Sequence, residues 1–173
     1  GKVSVVPDEA VVLVGVRKEA VKVSEAQNQA NTAVNQLLTE LKKIGIEEKN
    51  IKTNNYSVYP NYEYPSAGTR KIKGYNVSIS VEVRVVNGQF EKVEKVIDLT
   101  GSLGLQEVGS LDFTLSESTK KKALDDARKL AIEEAKQKAQ KLATLAGVSL
   151  GRIVNATEGL VSSNLFKTYG LSL

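Results

Sequence analysis

Tyr75-Asn-Val-Ser-Ile-Ser-Val-Glu-Val-Arg-Val85 decides the fold class. Its apolar residues, Tyr75, Val77, Ile79, Val81, Val83 and Val85, alternate with Asn76, Ser78, Ser80, Glu82 and Arg84. Successive side chains of a strand leave on opposite faces, so this period of two predicts a strand with one face in a core and one in a polar setting. Working outward, Lys2 to Glu19 is rich in valine, with Val11, Val12, Val14 and Val16 close together. That density of β-branched residues predicts a second strand, covered on two faces for much of its length, with Pro7 placing its start at an edge or bulge.

Between these strands, Ala26, Ala30, Ala33, Val34, Leu37, Leu41 and Ile44 recur at helical intervals. Ser24 offers an N-cap, Gln27 stands at capping-box spacing, and Gly45 supplies a left-handed C′ position, so a helix is expected over 24–44. After the Tyr75 strand, Phe90, Val93, Val96 and Ile97 mark a short helix closed by Gly101 and Gly104. Val108, Leu111, Phe113 and Leu115 mark a further strand. Ser116 caps the longest helix, to about Ala146. Its stripe of Ala123, Ala127, Ala131, Ala135, Ala139 and Ala143 would let the helix lie close to a support. Gly147 ends it, Val148 to Thr157 reads as a last strand, and the tail from Gly159 is left open. Each helix closes on glycine and an aliphatic residue, at Gly45-Ile46, Gly104-Leu105 and Gly147-Val148.

The order is β-α-β-β-α-β-α-β. Its first six elements are those of a ferredoxin-like sandwich. The expectation is an α+β domain over 1–158, with helices on one face of a mainly antiparallel sheet, followed by the long helix and a further strand.

The least generic text is Asn55-Tyr-Ser-Val-Tyr-Pro-Asn-Tyr-Glu-Tyr64. It holds Tyr56, Tyr59, Tyr62 and Tyr64 in a chain that is only 5% aromatic, so the clustering is not compositional. Ile51 to Tyr59 reads as a strand. Pro60 offers no N–H and is expected to end its pairing, leaving an aromatic extension before a polar linker flanked by Pro65, Gly68 and Gly74. Three readings stand: tyrosines packed along a hairpin, a subunit or partner contact, or a stacking platform for a small molecule.

The chain contains no histidine and no cysteine, which removes the usual general base, the usual zinc ligands and the strongest nucleophile. The net charge is +4, and Lys120 to Lys141 carries all of it, with the rest of the chain balanced. Its lysines are interleaved with Asp125, Asp126, Glu133 and Glu134, so a solvated helix face is favoured over a phosphate or nucleic-acid surface. Those carboxylates lie too far along one helix to converge on a metal without help from another element. Ser118-Thr-Lys-Lys121 fits a Ser-x-x-Lys spacing, yet it sits where a helix start favours serine. No phosphate loop, dinucleotide fingerprint or run long enough to span a membrane is present. The expectation is a protein that is not an enzyme and takes no cofactor, metal or nucleic acid.

Pro7-Asp8-Glu9-Ala10 before a valine strand resembles the opening of SIMPL-domain proteins. Tyr56-Ser-Val-Tyr59-Pro60-Asn-Tyr62-Glu-Tyr64 is similar to their Tyr-Pro-x-Tyr signature. Gly74-Tyr75, Phe113-Thr-Leu-Ser116, Ala127-Arg128, Lys138-Ala139, Leu142-Ala143, Ala146-Gly147-Val148 and Leu150-Gly151-Arg152 also match, in order. The resemblance implies an exported protein, periplasmic or at the cell surface, that self-associates into a ring-like or larger hollow homo-oligomer. It also implies a role in the cell envelope or in protection from oxidative stress. It carries no catalytic residues to this chain. It further implies a signal peptide removed by processing or trimming, since the sequence starts at Gly1, and one more strand beyond each end. Tyr56, Tyr59, Pro60, Tyr62 and Tyr64 are then the expected oligomer or partner contact. The alternative is a monomeric adaptor or carrier that binds a partner segment along the same strand edge.

Overall fold

The computed structural model describes residues 1–63, 69–105 and 107–155, the side chains of Glu107 and Val108 excepted. The chain forms two compact units. One is Lys2–Ala127; the other takes Gly1 with the chain from Arg128 onward. The first unit contains β1 (Glu9–Ala20), α1 (Val23–Lys43), β2 (Ile51–Glu63), β3 (Lys71–Val85), α2 (Glu91–Ser102) and β4 (Glu107–Thr114). The helix α3 (Glu117–Leu145) begins in it and continues into the second.

The sheet order is β2-β3-β1-β4 with every neighbour antiparallel, the ferredoxin-like arrangement. Residues opposite one another in a ladder share a face. Val12 lies opposite Val83, Val14 opposite Val81 and Val16 opposite Ile79, so one face of the central pair is continuous branched hydrocarbon. It packs under α1, through Ala26, Ala30, Ala33, Leu37 and Leu41, and under α2, through Val93 and Val96. The other face carries Ser78, Ser80, Glu82 and Arg84 beside Val11, Leu13 and Gly15, all half-buried. The expected alternation of β3 is therefore present, as are the helix-lined face and the α+β class.

Helix ends follow local sequence closely at the C-terminal side. In α1, Gly45 N–H donates to Lys42 O at 3.0 Å and Ile46 N–H to Leu41 O at 3.0 Å. Gly104 and Leu105 repeat this pair of bonds on Gly101 O and Thr100 O, and Gly147 and Val148 on Thr144 O and Ala143 O. This is the Schellman closure, and the three glycines have φ of +80°, +62° and +69°, which suits a residue without a Cβ. At the N-terminal side, α1 differs from expectation. It starts at Val23 with Lys22 as N-cap and no side-chain cap bond, so Ser24 already lies inside the first turn.

Three further expectations are corrected. Pro60 does not end the pairing of β2: it lies opposite Tyr75, and the ladder continues to Glu63 opposite Lys71. β2 is an edge strand, where a proline can turn its nitrogen to the unpaired side. Gly74, expected to flank the linker at the head of the Tyr75 strand, lies within β3, which begins earlier, at Lys71, and the segment 64–68 lies outside the described residues. Val148 to Asn155 forms no strand, and 156–157 lies outside the described residues. A strand needs a ladder partner, and among the described residues none pairs with it. The alanine stripe of α3 is also not buried along its length, since Ala131 and Ala135 are exposed and Ala143 is buried. Alanine has the highest helix propensity, so the stripe favours the helix even where nothing covers it.

Ser116 caps α3 as expected, accepting from Thr119 N–H at 3.1 Å. The cap is tied to the start of β1. Thr119 Oγ1–H donates to Asp8 Oδ2 at 2.6 Å, Ser116 N–H to Asp8 Oδ1 at 2.7 Å, and Ser116 Oγ–H to Asp8 Oδ2 at 2.7 Å. Donation by Thr119, then by the Ser116 N–H and hydroxyl, lowers the Asp8 pKa from 3.8 to about 2. A carboxylate whose folded pKa is depressed stabilises the fold above its unfolded pKa and loses that contribution as pH falls through the folded one. Asp8→Asn should therefore lower the melting temperature at pH 7, and the gap to the native chain should close between about pH 4 and 2. Thermal unfolding at both ends of that window checks it; an equal gap at pH 7 and pH 2 would disprove the role given to the charge.

Gly74 and Gly101 make an opposed pair. A Cβ on Gly74 would stand 2.8 Å from the Ala20 carbonyl oxygen, a backbone atom, whereas one on Gly101 in α2 meets nothing within 4 Å. Gly74→Val is expected to cost about 1–3 kcal/mol by overpacking, and Gly101→Ala to add roughly 0.5–1 kcal/mol. Urea denaturation of the two variants reads both signs.

Candidate functional site

β2 brings the tyrosines to one edge of the sheet but not to one face. Tyr56 lies opposite Ile79 and so on the helix-covered side, with Val58 opposite Val77. Tyr59 lies opposite Asn76 on the other side, and Tyr62 opposite Ile72 after a bulge between Asn61 and Tyr62. Tyr56 is 44% exposed and Tyr59 61%; Pro60 is exposed and Tyr62 half-buried. Tyr64 lies outside the described residues.

The β2–β3 ribbon outruns its neighbour. β1 stops at Ala20, opposite Tyr75, so the pairs Asn61–Gly74, Tyr62–Ile72 and Glu63–Lys71 continue with no third strand beside them among the described residues. Ile72 on this overhang is 53% exposed. Two contacts fix the ribbon. Asn61 Nδ2–H donates to Glu19 Oε1 at 2.6 Å, and the Arg70 guanidinium carbon stands 3.8 Å from the centroid of the Tyr62 ring. A cation over a phenol face attracts its quadrupole by about 0.5–1 kcal/mol at an exposed site. Sequence spacing does not reveal the Arg70 contact, because the hairpin register brings the two residues together.

The polar face of the sheet carries a chain of charge. Arg84 Nη1 donates to Glu9 Oε2 at 3.0 Å and Nη2 to Glu82 Oε1 at 2.9 Å, while Asn54 Nδ2 donates to Glu82 Oε2 at 2.9 Å. The Asn54 and Arg84 hydrogen bonds hold the Glu82 carboxyl below its ordinary range, and Glu82 and Glu9 raise the Arg84 pKa. Each charge has its partner, so the array fixes strand register and offers no unmatched acid or base. The Asp8–Ser116–Thr119 cluster is likewise committed to capping α3. In the Ser-x-x-Lys stretch, Ser118 Oγ meets Ser116 Oγ at 2.9 Å and Lys120 Nζ donates to Glu117 Oε1 at 2.8 Å.

Among the described residues no buried side-chain polar atom lacks a partner, and no group of three or more acidic residues is gathered as a metal site would require. No described helix is long and apolar enough to cross a membrane. One shallow, open depression is lined by Thr32, Asn35, Gln36, Thr39, Glu40 and Leu103, and none of the tyrosines contributes to it. What the arrangement offers is contact chemistry: an edge strand of 13 residues with its outer main-chain groups unpaired among the described residues, flanked by exposed phenol rings on both faces.

The SIMPL family model, described as a protein of unknown function (DUF541), matches residues 1–168. The chain is 34% identical over 162 residues to the 26 kDa periplasmic immunogenic protein of Brucella melitensis, covering 91% of this chain and 63% of that protein. It is 30% identical over 151 residues to the uncharacterized protein YggE of Edwardsiella ictaluri, covering 87% and 62%. It is 33% identical over 141 residues to YggE of Escherichia coli K12, covering 82% and 55%. The chain thus spans between 55% and 63% of the length of these relatives. With the family model covering residues 1–168, nearly all of the sequence, this chain belongs to the SIMPL family.

Proposed function

We propose that this chain is an exported, non-catalytic SIMPL domain that self-associates into a ring-like or larger hollow homo-oligomer through the β2 edge. Residues 1–158 form the domain, the tail lies beyond them, and the role is structural or protective in the cell envelope. The observation that carries the proposal is the pair of exposed rings, Tyr56 and Tyr59, on the two faces of a long strand with an open edge. Tyrosine is enriched at contact hot spots because it covers much area with few torsions to freeze. Export is supported by the name of the Brucella relative, a periplasmic protein. The non-catalytic reading is supported by the absence of histidine and cysteine and by the partnered state of the sheet carboxylates.

Multi-angle light scattering at micromolar concentration is expected to return several chain masses. Tyr59→Ser with Tyr62→Ser should weaken association by at least tenfold, equivalent to about 1.4 kcal/mol. A monomeric native chain, or an assembly unaltered by the double change, refutes the proposal. Stoichiometric retention of a foreign envelope protein by a monomer would favour the adaptor reading, with strand addition at the same edge.

A further inference from the structure

Self-association through β2 leaves open what that edge meets. Among the described residues the sheet has a second edge, β4, and the two are complementary in two respects. Direction is the first. β2 runs parallel in sense to β1 and antiparallel to β4, because the four strands alternate strictly. A second copy set beside the first in the same orientation therefore presents its β4 antiparallel to β2, and the sheet continues without reversing.

Apolar surface is the second. On the helix-covered face, Tyr56 and Val58 of β2 are 44% and 36% exposed, and Leu111 and Phe113 of β4 are 39% and 54% exposed. Leu111 lies opposite Val12 and Phe113 opposite Ala10, which puts them on the same face as the core valines and hence as Tyr56 and Val58. Phe113 meets Phe90 edge-on at 5.3 Å, so α2 covers one side of its ring.

Resting on the self-association proposed above, we infer that the partner of the β2 edge is the β4 edge of a second copy, joined head to tail. Pairing β2 with β2 would leave Leu111 and Phe113 in water and count the missing N–H of Pro60 twice. The β2–β4 join covers both apolar patches at once. Such an interface is heterologous, and it closes into a ring when the rotation between copies divides the circle.

The chain has no cysteine, so engineered ones report without background. Adjacent strands lie about 4.8 Å apart, whereas equivalent positions on head-to-tail copies are separated by four strands, about 19 Å. Val58→Cys with Leu111→Cys in one chain, treated with a short bis-maleimide, should give a ladder of covalent oligomers, and each single variant should remain unlinked. Covalent dimers from Val58→Cys alone would show β2 against β2 and overturn the inference while leaving self-association standing. So would the absence of any linkage, for this pair and for Tyr56→Cys with Phe113→Cys, in assemblies that light scattering still detects. A monomer in light scattering would remove the underlying proposal as well.

Discussion

Eleven residues of β1 lie opposite eleven of β3, from Ala10 against Val85 to Ala20 against Tyr75, and the fold rests on that register. Side chains alternate with a period of two, so a slip of one residue would turn Val12, Val14 and Val16 to the polar face. Ser78, Ser80, Glu82 and Arg84 would then lie opposite the valines that now meet their own kind. The salt bridge of Arg84 to Glu9 reinforces the same register from the other side, and Glu82, on the same strand as Arg84, holds the guanidinium. Small residues complete the arrangement. Ala26, Ala30 and Ala33 let α1 settle on the valine layer, while Leu37 and Leu41 fill it further along.

The three helices end alike and then diverge. Ile46 and Leu105 leave the closing glycines of α1 and α2 for the core, at 5% and 8% exposure, and the chain goes on to form β2 and β4. Val148 comes after Gly147 with the same two hydrogen bonds and stays exposed. The glycine closure is a local device, satisfying the last carbonyls of a helix wherever it ends. Whether the chain then becomes a strand depends on an edge being there to pair with.

Edges are also where this molecule carries its unusual residues. Soluble proteins blunt an exposed strand edge with proline, charge, bulges and short length. β2 has Pro60, Lys52 and two register shifts, yet it is long and bears exposed tyrosines. β4 is short and irregular against β1, yet Leu111 and Phe113 stand on it. Each edge thus combines protective features with exposed apolar side chains. On the sheet face, Arg84 is meanwhile matched to Glu9 and Glu82, and Glu82 also accepts from Asn54.

The family, the order of the first seven strands and α-helices, the alternation of β3, the inward face of α1, the glycine closures and the Ser116 cap were legible in the sequence, because local patterns a few positions long carry them. Sequence also marked the tyrosine run as exceptional. It misread Pro60 and placed the N-cap of α1 at Ser24 instead of Lys22, and the strand it placed over Val148–Thr157 is absent from the part described, since strand pairing depends on a neighbour that spacing does not reveal. Pro60 is tolerated because β2 lies at an edge, and Gly74 is required because the Ala20 carbonyl passes beside it. Asp8 reaches Ser116 across 108 positions, and Arg70 reaches Tyr62 through the hairpin register. Local periodicity fixes which face of an element is apolar; only the assembled sheet decides which strand has an open edge, and it is that edge which sets the tyrosines at the surface.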